Sequence, residues 1–427
     1  MSRHSSPPAP VLETSAAARA GQNDRHTLAL NIKLRSDQMA SDLKIEGECD
    51  KRFEKVRRAF AENFERRGEL GAAVSIMVDG RPVVDLWGGY FDSEKTRPWG
   101  RDTLVNVYST TKGLTATCAH RLIDQGKLDP DEPVARYWPE FAQSGKQDIP
   151  VRYILSHRAG LPALKNVLAE EALFDWDQMT SALAAQQPWW KPGTKHGYHA
   201  LTMGWLVGEV IKRVSGKGLG TYFRQEIAEP LGLDCHIGLD SKNDPRVSDL
   251  IAAPPPAPGQ PDLFAEAMKD PEGVSAKAFL NPPVLTKPGL VNTRAWRAAE
   301  LGAANGHATA RSLARLYGAL ARGGELDGHS IVRPQALERF YTEQSYGGDE
   351  VLLQLSTRFS MGFMLSQPGA AFGPNRKAFG HPGAGGSLGF ADPQTKTGFG
   401  YTMNKMASGL LIDPRASALI DAFYASA

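Results

Sequence analysis

VYSTTKGLTATCAHRLIDQG, residues 107–126, is the stretch on which the reading of this chain turns. Ser109 is followed three residues later by Lys112, and Leu114, Cys118 and Leu122 then recur at fourfold spacing, the period of a helix. Residues three apart share a helix face, so the Ser109 hydroxyl and the Lys112 amine come within reach of each other. A serine at a helix N-terminus also sits at the positive end of the dipole, which favours an alkoxide and a nearby oxyanion. A nucleophilic serine needs both. Ser-x-x-Lys is nevertheless short, and Ser41 and Lys44 form a second copy, SDLK, in a polar stretch where a solvated ammonium stays charged and is no base. On the pattern alone Ser109 is either a nucleophile or a helix cap.

The chain has 427 residues, which suggests two or three structural units, and its 41% hydrophobic content is enough for a core. Against 49 basic side chains stand 47 acidic ones, a net charge of +2 that supplies no broad field for nucleic acid or an anionic membrane. A small, largely uncharged ligand is expected. Cys49, Cys118 and Cys235 are far apart and lack CxxC spacing, so neither a disulfide framework nor a zinc knuckle is indicated. No stretch has the apolar length of a signal peptide or a membrane span, and the expected location is the cytoplasm.

Residues 1–44 are rich in Ser, Pro, Ala and charge, and read as a mobile N-terminal arm. From Cys49 to Gly68 the positions Phe53, Val56, Phe60 and Phe64 mark an amphipathic helix. AAVSIMV, the turn Asp79-Gly80 and RPVVDLWGG then form a hairpin. Residues 45–105 are expected to be the first part of an α/β domain, residues 106–299 a mainly helical domain, and residues 300–427 the second part of the α/β domain. Met203, Leu206, Val207, Val210, Ile211 and Val214 line one face of a helix ending at Gly216, with Tyr198 in the loop before it. Two proline-rich runs, 254–261 and 282–288, are expected to lie on the surface. SMGFMLS, SLGFADP and KTGFGYTMN read as strands, and DPRASALIDAFYA as a closing helix. One sheet built from both chain ends follows.

Partners for Ser109 come from distant segments. Tyr198, in GYHA, carries a phenol whose pKa an adjacent ammonium would lower, so that it could take the serine proton. FGHPGAGGSLGF, residues 379–390, is a glycine-rich approach to a strand that lets backbone amides come close to a ligand. In this order the elements resemble the serine β-lactamase and penicillin-binding-protein superfamily, and more closely its class C β-lactamases, D,D-peptidases and family VIII carboxylesterases. STTK at 109–112 matches Ser-x-x-Lys; YHA at 198–200 stands in place of Tyr-x-Asn; HPG at 381–383 stands in place of Lys-Thr-Gly; LSHRAG at 155–160 matches Leu-x-His-x-x-Gly. The resemblance spans about residues 45–427. It implies an α+β, β-lactamase/D,D-peptidase-like fold: an antiparallel sheet flanked by helices, with an inserted all-helical domain. It further implies acyl transfer without a cofactor. Ser109 would attack a carbonyl and Tyr198 with Lys112 would accept the proton, Tyr198 being favoured. The amides of Ser109 and Ala384 would hold the oxyanion beside Gly383, and His381 would face the leaving group or reach across to Tyr198.

Ala200 replaces the asparagine whose amide contacts the acylamide of lactams and peptides, and HPG lacks the fixed cation of Lys-Thr-Gly. Both departures favour small carboxylic esters, with β-lactamase or D-amino-acid peptidase activity as the alternative. GGSLG at 385–389 offers Ser387 as a rival nucleophile of the Gly-x-Ser-x-Gly kind, but no histidine follows it and a strand stands where that motif needs a helix. His196 and His199 are three apart with no carboxylate to complete a metal site, and His157 belongs to a signature that is structural in the family. A non-catalytic binding protein retaining the fold is the reading from another class, and a homo-oligomer stays open.

Overall fold

The computed structural model describes Met1 and residues 44–253, 262–283, 287, 289–409 and 411–427. The expected arm of residues 1–44 therefore lies, apart from Met1 and Lys44, outside the described residues, as do the proline-rich run 254–261 and residues 284–286 and 288 of the second run. The chain enters its large compact unit, residues 45–427, as strand β1 (Ile45–Cys49), followed by a single 3-10 turn and helix α1 (Glu54–Arg66). Periodicity placed a helix from Cys49 to Gly68. The helix is shorter, and Ile45–Cys49 is extended because it pairs with a later strand that local pattern does not reveal. Val56 and Phe60 of α1 are fully buried, as the spacing requires.

β2 (Gly71–Val78) and β3 (Arg81–Gly89) form the expected hairpin, with Asp79 and Gly80 both at positive φ, 48° and 80°. Next come β4 (Leu104–Asn106) and α2 (Thr111–Asp124), and after them a mainly helical stretch that includes α3 (Trp176–Ala185) and α4 (Thr202–Ser215). The two-residue strands β5 (Cys235–His236), β6 (Val247–Ser248) and β7 (His307–Ala308) join β4 in a small mixed sheet ordered β5-β7-β4-β6. They are too short for alternation to show in the sequence.

Helix α5 (Ala310–Ala321) and the hairpin β8 (Glu325–Leu326) and β9 (His329–Ser330) lead back to the main sheet. It continues through β10 (Ser345–Gly348), β11 (Ser356–Phe359), β12 (Met364–Leu365), β13 (Phe379–Pro382), β14 (Leu388–Asp392) and β15 (Thr397–Met403), and helix α6 (Pro414–Tyr424) closes the chain. SLGFADP and KTGFGYTMN are strands as read, whereas only Met364 and Leu365 of SMGFMLS are. SYGG and STRF carry no apolar alternation, so β10 and β11 left no signal. The nine strands are antiparallel in the order β1-β3-β2-β15-β14-β13-β12-β11-β10, so β2 from the front of the chain meets β15 from its end.

Helix α5 lies across β2, β14 and β15, and the glycines of KTGFGYTMN explain how closely it sits. A Cβ on Gly398 would fall 2.1 Å from Gly318 N, and one on Gly400 2.1 Å from Ala310 O. Both obstacles are helix backbone, which cannot rotate away. Gly398→Ala is therefore expected to lower the unfolding free energy by about 3 kcal/mol. Urea denaturation checks this, and an unchanged midpoint would mean that the helix does not rest on these glycines.

Candidate active site

Strand β4 ends at Asn106, whose Oδ1 accepts the N–H of Tyr108 at 2.9 Å. Tyr108 has φ 40°, an uncommon conformation for an aromatic residue, and the sharp turn presents half-buried Ser109 just ahead of α2. The two threonines of STTK anchor that turn. Thr111 Oγ1 donates to Tyr108 O and accepts the N–H of Gly306 at 2.7 Å, while Thr110 Oγ1 lies 3.2 Å from Ser387 Oγ. Apart from Arg121 and Asp124, every residue of α2 is buried. Lys112, on its first turn, therefore points into the interior with no exposure at all.

Three oxygens surround the Lys112 amine: Ser109 Oγ at 3.0 Å, Ala200 O at 2.7 Å and Ala303 O at 3.0 Å. None belongs to a carboxylate. Burial alone holds the amine well below the usual lysine range. Tyr198 lies beside it, with the ring centroid 4.7 Å from Nζ. Burial raises the pKa of the Tyr198 phenol, which the Ser109 hydroxyl partly offsets through a hydrogen bond. Ser109, Lys112 and Tyr198, read from separate stretches of sequence, are thus brought together.

The loop carrying Tyr198 is held by the LSHRAG segment. Trp189 N–H donates to Gly160 O at 2.8 Å, Gly193 N–H to Arg158 O at 2.9 Å, and Gly197 N–H to His157 O at 3.0 Å. His157 Nδ1 accepts the His199 N–H at 3.1 Å, and its ring packs 5.2 Å from that of Tyr198. His157 is a scaffold for the loop. On the other side Asp349, fully buried, accepts the Tyr198 N–H at 2.9 Å, two further backbone N–H groups and the Thr357 hydroxyl. Sequence reading missed Asp349, because nothing in GGDEV distinguishes it from a surface acid.

The glycine-rich loop closes the site from β13 and β14. His381 Nδ1 bonds Pro382 O at 2.7 Å, and since a carbonyl only accepts, the proton sits on Nδ1 and Nε2 carries a lone pair. Burial pushes the imidazole pKa down to about 3. Its ring stacks 5.9 Å from that of Tyr198, and Nε2 has no hydrogen-bond partner among the described residues. A Cβ on Gly383 would lie 2.2 Å from Val107 O, so only glycine lets this loop approach the nucleophile turn. Among the described residues, neither the Ser109 N–H nor the Ala384 N–H is used in a backbone hydrogen bond of normal geometry. Ser387, the rival nucleophile, is buried, with its Oγ donating to Val107 O at 2.8 Å, and β14 follows it directly. Its hydroxyl fastens one loop to the other.

No three His, Cys, Asp or Glu side chains gather as a metal site among the described residues. His196 bonds Thr357 Oγ1 at 2.9 Å, and both ring nitrogens of His199 bond backbone. An antiparallel sheet made from both chain ends, with a serine, a buried amine and a phenol converging beside it, defines the architecture of acyl-transferring serine enzymes. The family described as Beta-lactamase matches residues 56–422, and the chain belongs to it. Esterase/beta-lactamase LipL of Mycobacterium tuberculosis is 37% identical over 392 residues, 87% of this chain and 86% of that protein. A family VIII carboxylesterase of known structure is 41% identical with a TM-score of 0.83, over 90% of this chain and all of that one (100%). A penicillin-binding protein homologue from Caulobacter crescentus is 42% identical with a TM-score of 0.82, over 90% and 100% of the two chains.

The two serines differ in a way that labelling can read. A fluorophosphonate is expected to modify Ser109, and the label to vanish in Ser109→Ala. Ser387→Ala should keep the label and lose about 1–2 kcal/mol of stability, since Val107 O loses a buried donor. Mass spectrometry of the labelled peptide decides between them, and a label on residue 387 reverses the assignment.

Proposed function

We propose that this protein is a serine hydrolase that cleaves small carboxylic esters through an acyl-enzyme on Ser109, with Lys112 accepting the serine proton. The observation that carries this is the set of partners around Lys112 Nζ. A neutral amine has two N–H groups and one lone pair; two of its three neighbours, Ala200 O and Ala303 O, can only accept. They take the two N–H groups, and the lone pair is left for the Ser109 hydroxyl 3.0 Å away. Sequence alone favoured Tyr198 as acceptor. Burial of both groups supports the opposite assignment, because it disfavours the ammonium and the phenolate alike.

Ser109 Oγ attacks the ester carbonyl while its proton passes to Lys112 Nζ, and the N–H groups of Ser109 and Ala384 receive the developing oxyanion. The Tyr198 phenol, kept protonated, donates to the departing alkoxide and regains a proton from Lys112. Water enters the vacated space, passes a proton to Lys112 Nζ and attacks the acyl carbon; the bond to Ser109 Oγ then breaks, Lys112 returns the proton to that oxygen, and the acid leaves. His381 offers a lone pair where a cation would have met a substrate carboxylate, and Ala200 offers no side-chain amide, so neutral esters are favoured over acylamino acids. The esterase names among the relatives support the same preference. All three cysteines are free, which fits the cytoplasm as the location we propose. No helix of the described residues is long and apolar enough to cross a membrane.

A lowered lysine pKa fixes the pH profile. Below it the amine is protonated and cannot take the serine proton, so kcat/KM should fall as pH drops through that value. The phenol, raised by burial, should impose no alkaline limb below about pH 10. Lys112→Arg, which cannot lose its proton, should cut kcat by about 10²- to 10⁴-fold at every pH. A profile flat on the acid side, or an active Lys112→Arg enzyme, would remove the amine from this role.

Lactam or D-peptide hydrolysis is the second reading, favoured by the relative named esterase/beta-lactamase and by the penicillin-binding protein homologue. Short p-nitrophenyl esters are expected to give higher kcat/KM than nitrocefin or a D-Ala-D-Ala peptide. The reverse order would make the ester preference wrong while leaving the acyl-enzyme in place.

A further inference from the structure

Next to the glycine-rich loop lies a buried charge cluster that the chemistry above does not use. Arg415, on the first turn of α6, is 3% exposed. Its Nε donates to Asp413 Oδ1 at 2.9 Å; Nη1 donates to Glu69 Oε1 at 2.9 Å and to Lys405 O at 2.8 Å; Nη2 donates to Gly385 O at 2.8 Å and to Asp413 Oδ2 at 3.2 Å. A guanidinium has five N–H groups, and all five are engaged. None is left for a substrate. Glu69 is fixed in turn by the hydroxyl of Tyr401, and Asp413 caps α6 by accepting the Arg415 N–H. The cluster therefore ties the loop between α1 and β2, β15 with the residues after it, and the start of α6 into one rigid base, and its link toward the active site is Gly385 O.

That link falls where the loop most needs it. Gly385 and Gly386 have φ of 85° and 131°, a pair of conformations open to glycine that a flexible loop can leave easily. Gly385 O is held twice, by Arg415 Nη2 and by the Ala407 N–H at 3.0 Å. The residue before it is Ala384, whose N–H is one of the two oxyanion donors. We propose that Arg415 is a positioning residue for acyl transfer: by clamping the Gly385 carbonyl it keeps the Ala384 N–H aimed at the substrate carbonyl. A lysine cannot replace it, because one ammonium cannot span Asp413, Glu69 and the loop together.

This inference rests on the Ser109 reading, and the experiment separates the two. The full-length enzyme and its Arg415→Ala, Arg415→Lys and Ser109→Ala variants are compared on a p-nitrophenyl ester. For all but the serine variant, competent sites are counted by fluorophosphonate titration, so that misfolded protein drops out. Per titrated site, both Arg415 variants should lose about 10- to 100-fold in kcat, with KM changed by less than about 3-fold, as expected when an oxyanion donor is misaimed rather than binding lost. Methylguanidine added to Arg415→Ala should restore part of that kcat and leave the parent unchanged, a response that a general loss of stability would not give. If one variant fails to fold, the other carries the comparison. Parent-like kcat per site in the Arg415 variants, or a loss confined to KM, overturns the positioning role alone. Full activity in Ser109→Ala overturns the serine reading and this inference with it.

Discussion

A lysine buried without a counter-ion is the constraint from which the site follows. An unpaired ammonium in a protein interior costs several kcal/mol in lost hydration, and no carboxylate stands near Lys112 to offset it. The amine is therefore driven to its neutral form, and a neutral amine must place two N–H groups and one lone pair. Ala200 lies within the mainly helical stretch and Ala303 beyond it, 88 and 191 residues from Lys112 in sequence, and their carbonyls satisfy the two N–H groups. The third direction leads to Ser109. The placement of the Ser109 hydroxyl beside a neutral amine, on which the proposed chemistry depends, thus follows from one requirement, that every polar atom in the buried first turn of α2 finds a partner.

The same requirement explains why the Tyr198 loop is braced so heavily. A loop in front of a helix would ordinarily be mobile, and a phenol that must meet a leaving oxygen tolerates little displacement. LSHRAG bonds the loop backbone at Gly160, Arg158 and His157, and Asp349 accepts the Tyr198 N–H from the opposite side. The histidine in that signature contributes geometry, since its Nδ1 is occupied by the His199 N–H and its ring fills the space between Tyr198 and Phe359.

How much of this was legible in the sequence depends on whether a role needs a particular side chain. Ser109, Lys112 and Tyr198 could be found because the nucleophile, base and phenol that the proposed chemistry needs are residue types, and helix spacing placed the first two on one face. The glycines of HPGAGG could be found because close approach excludes a Cβ; those of KTGFGYTMN, read only as part of a strand, showed their contact with α5 in the fold. The carbonyls of Ala200 and Ala303 could not, since every residue carries one. Asp349 and Arg415 stayed hidden for a different reason: charged residues in polar stretches usually face solvent, and only the tertiary fold shows that these are enclosed with every group paired. The strands β1, β10 and β11 were unread because their pairing partners, not their own patterns, make them extended. In the chemistry proposed here burial favours Lys112 over Tyr198 as the base, a balance that depends on how completely water is excluded.

Two serines of this chain stand close to the same turn, and their partners differ in a way that bears on which hydroxyl the proposal makes the nucleophile. Ser387 gives its proton to Val107 O, a carbonyl that cannot accept it fully at any accessible pH, so that bond only holds two loops together. Ser109 faces the Lys112 amine, to whose lone pair the proposal gives its hydroxyl proton, at a turn where Tyr108 has φ 40° and the serine is half buried. Residue type and local motif would rank the two alike, since each lies in a pattern associated with catalysis. What separates them is the basicity of the group each one touches: a carbonyl is no base in any surroundings, whereas burial holds the Lys112 amine neutral.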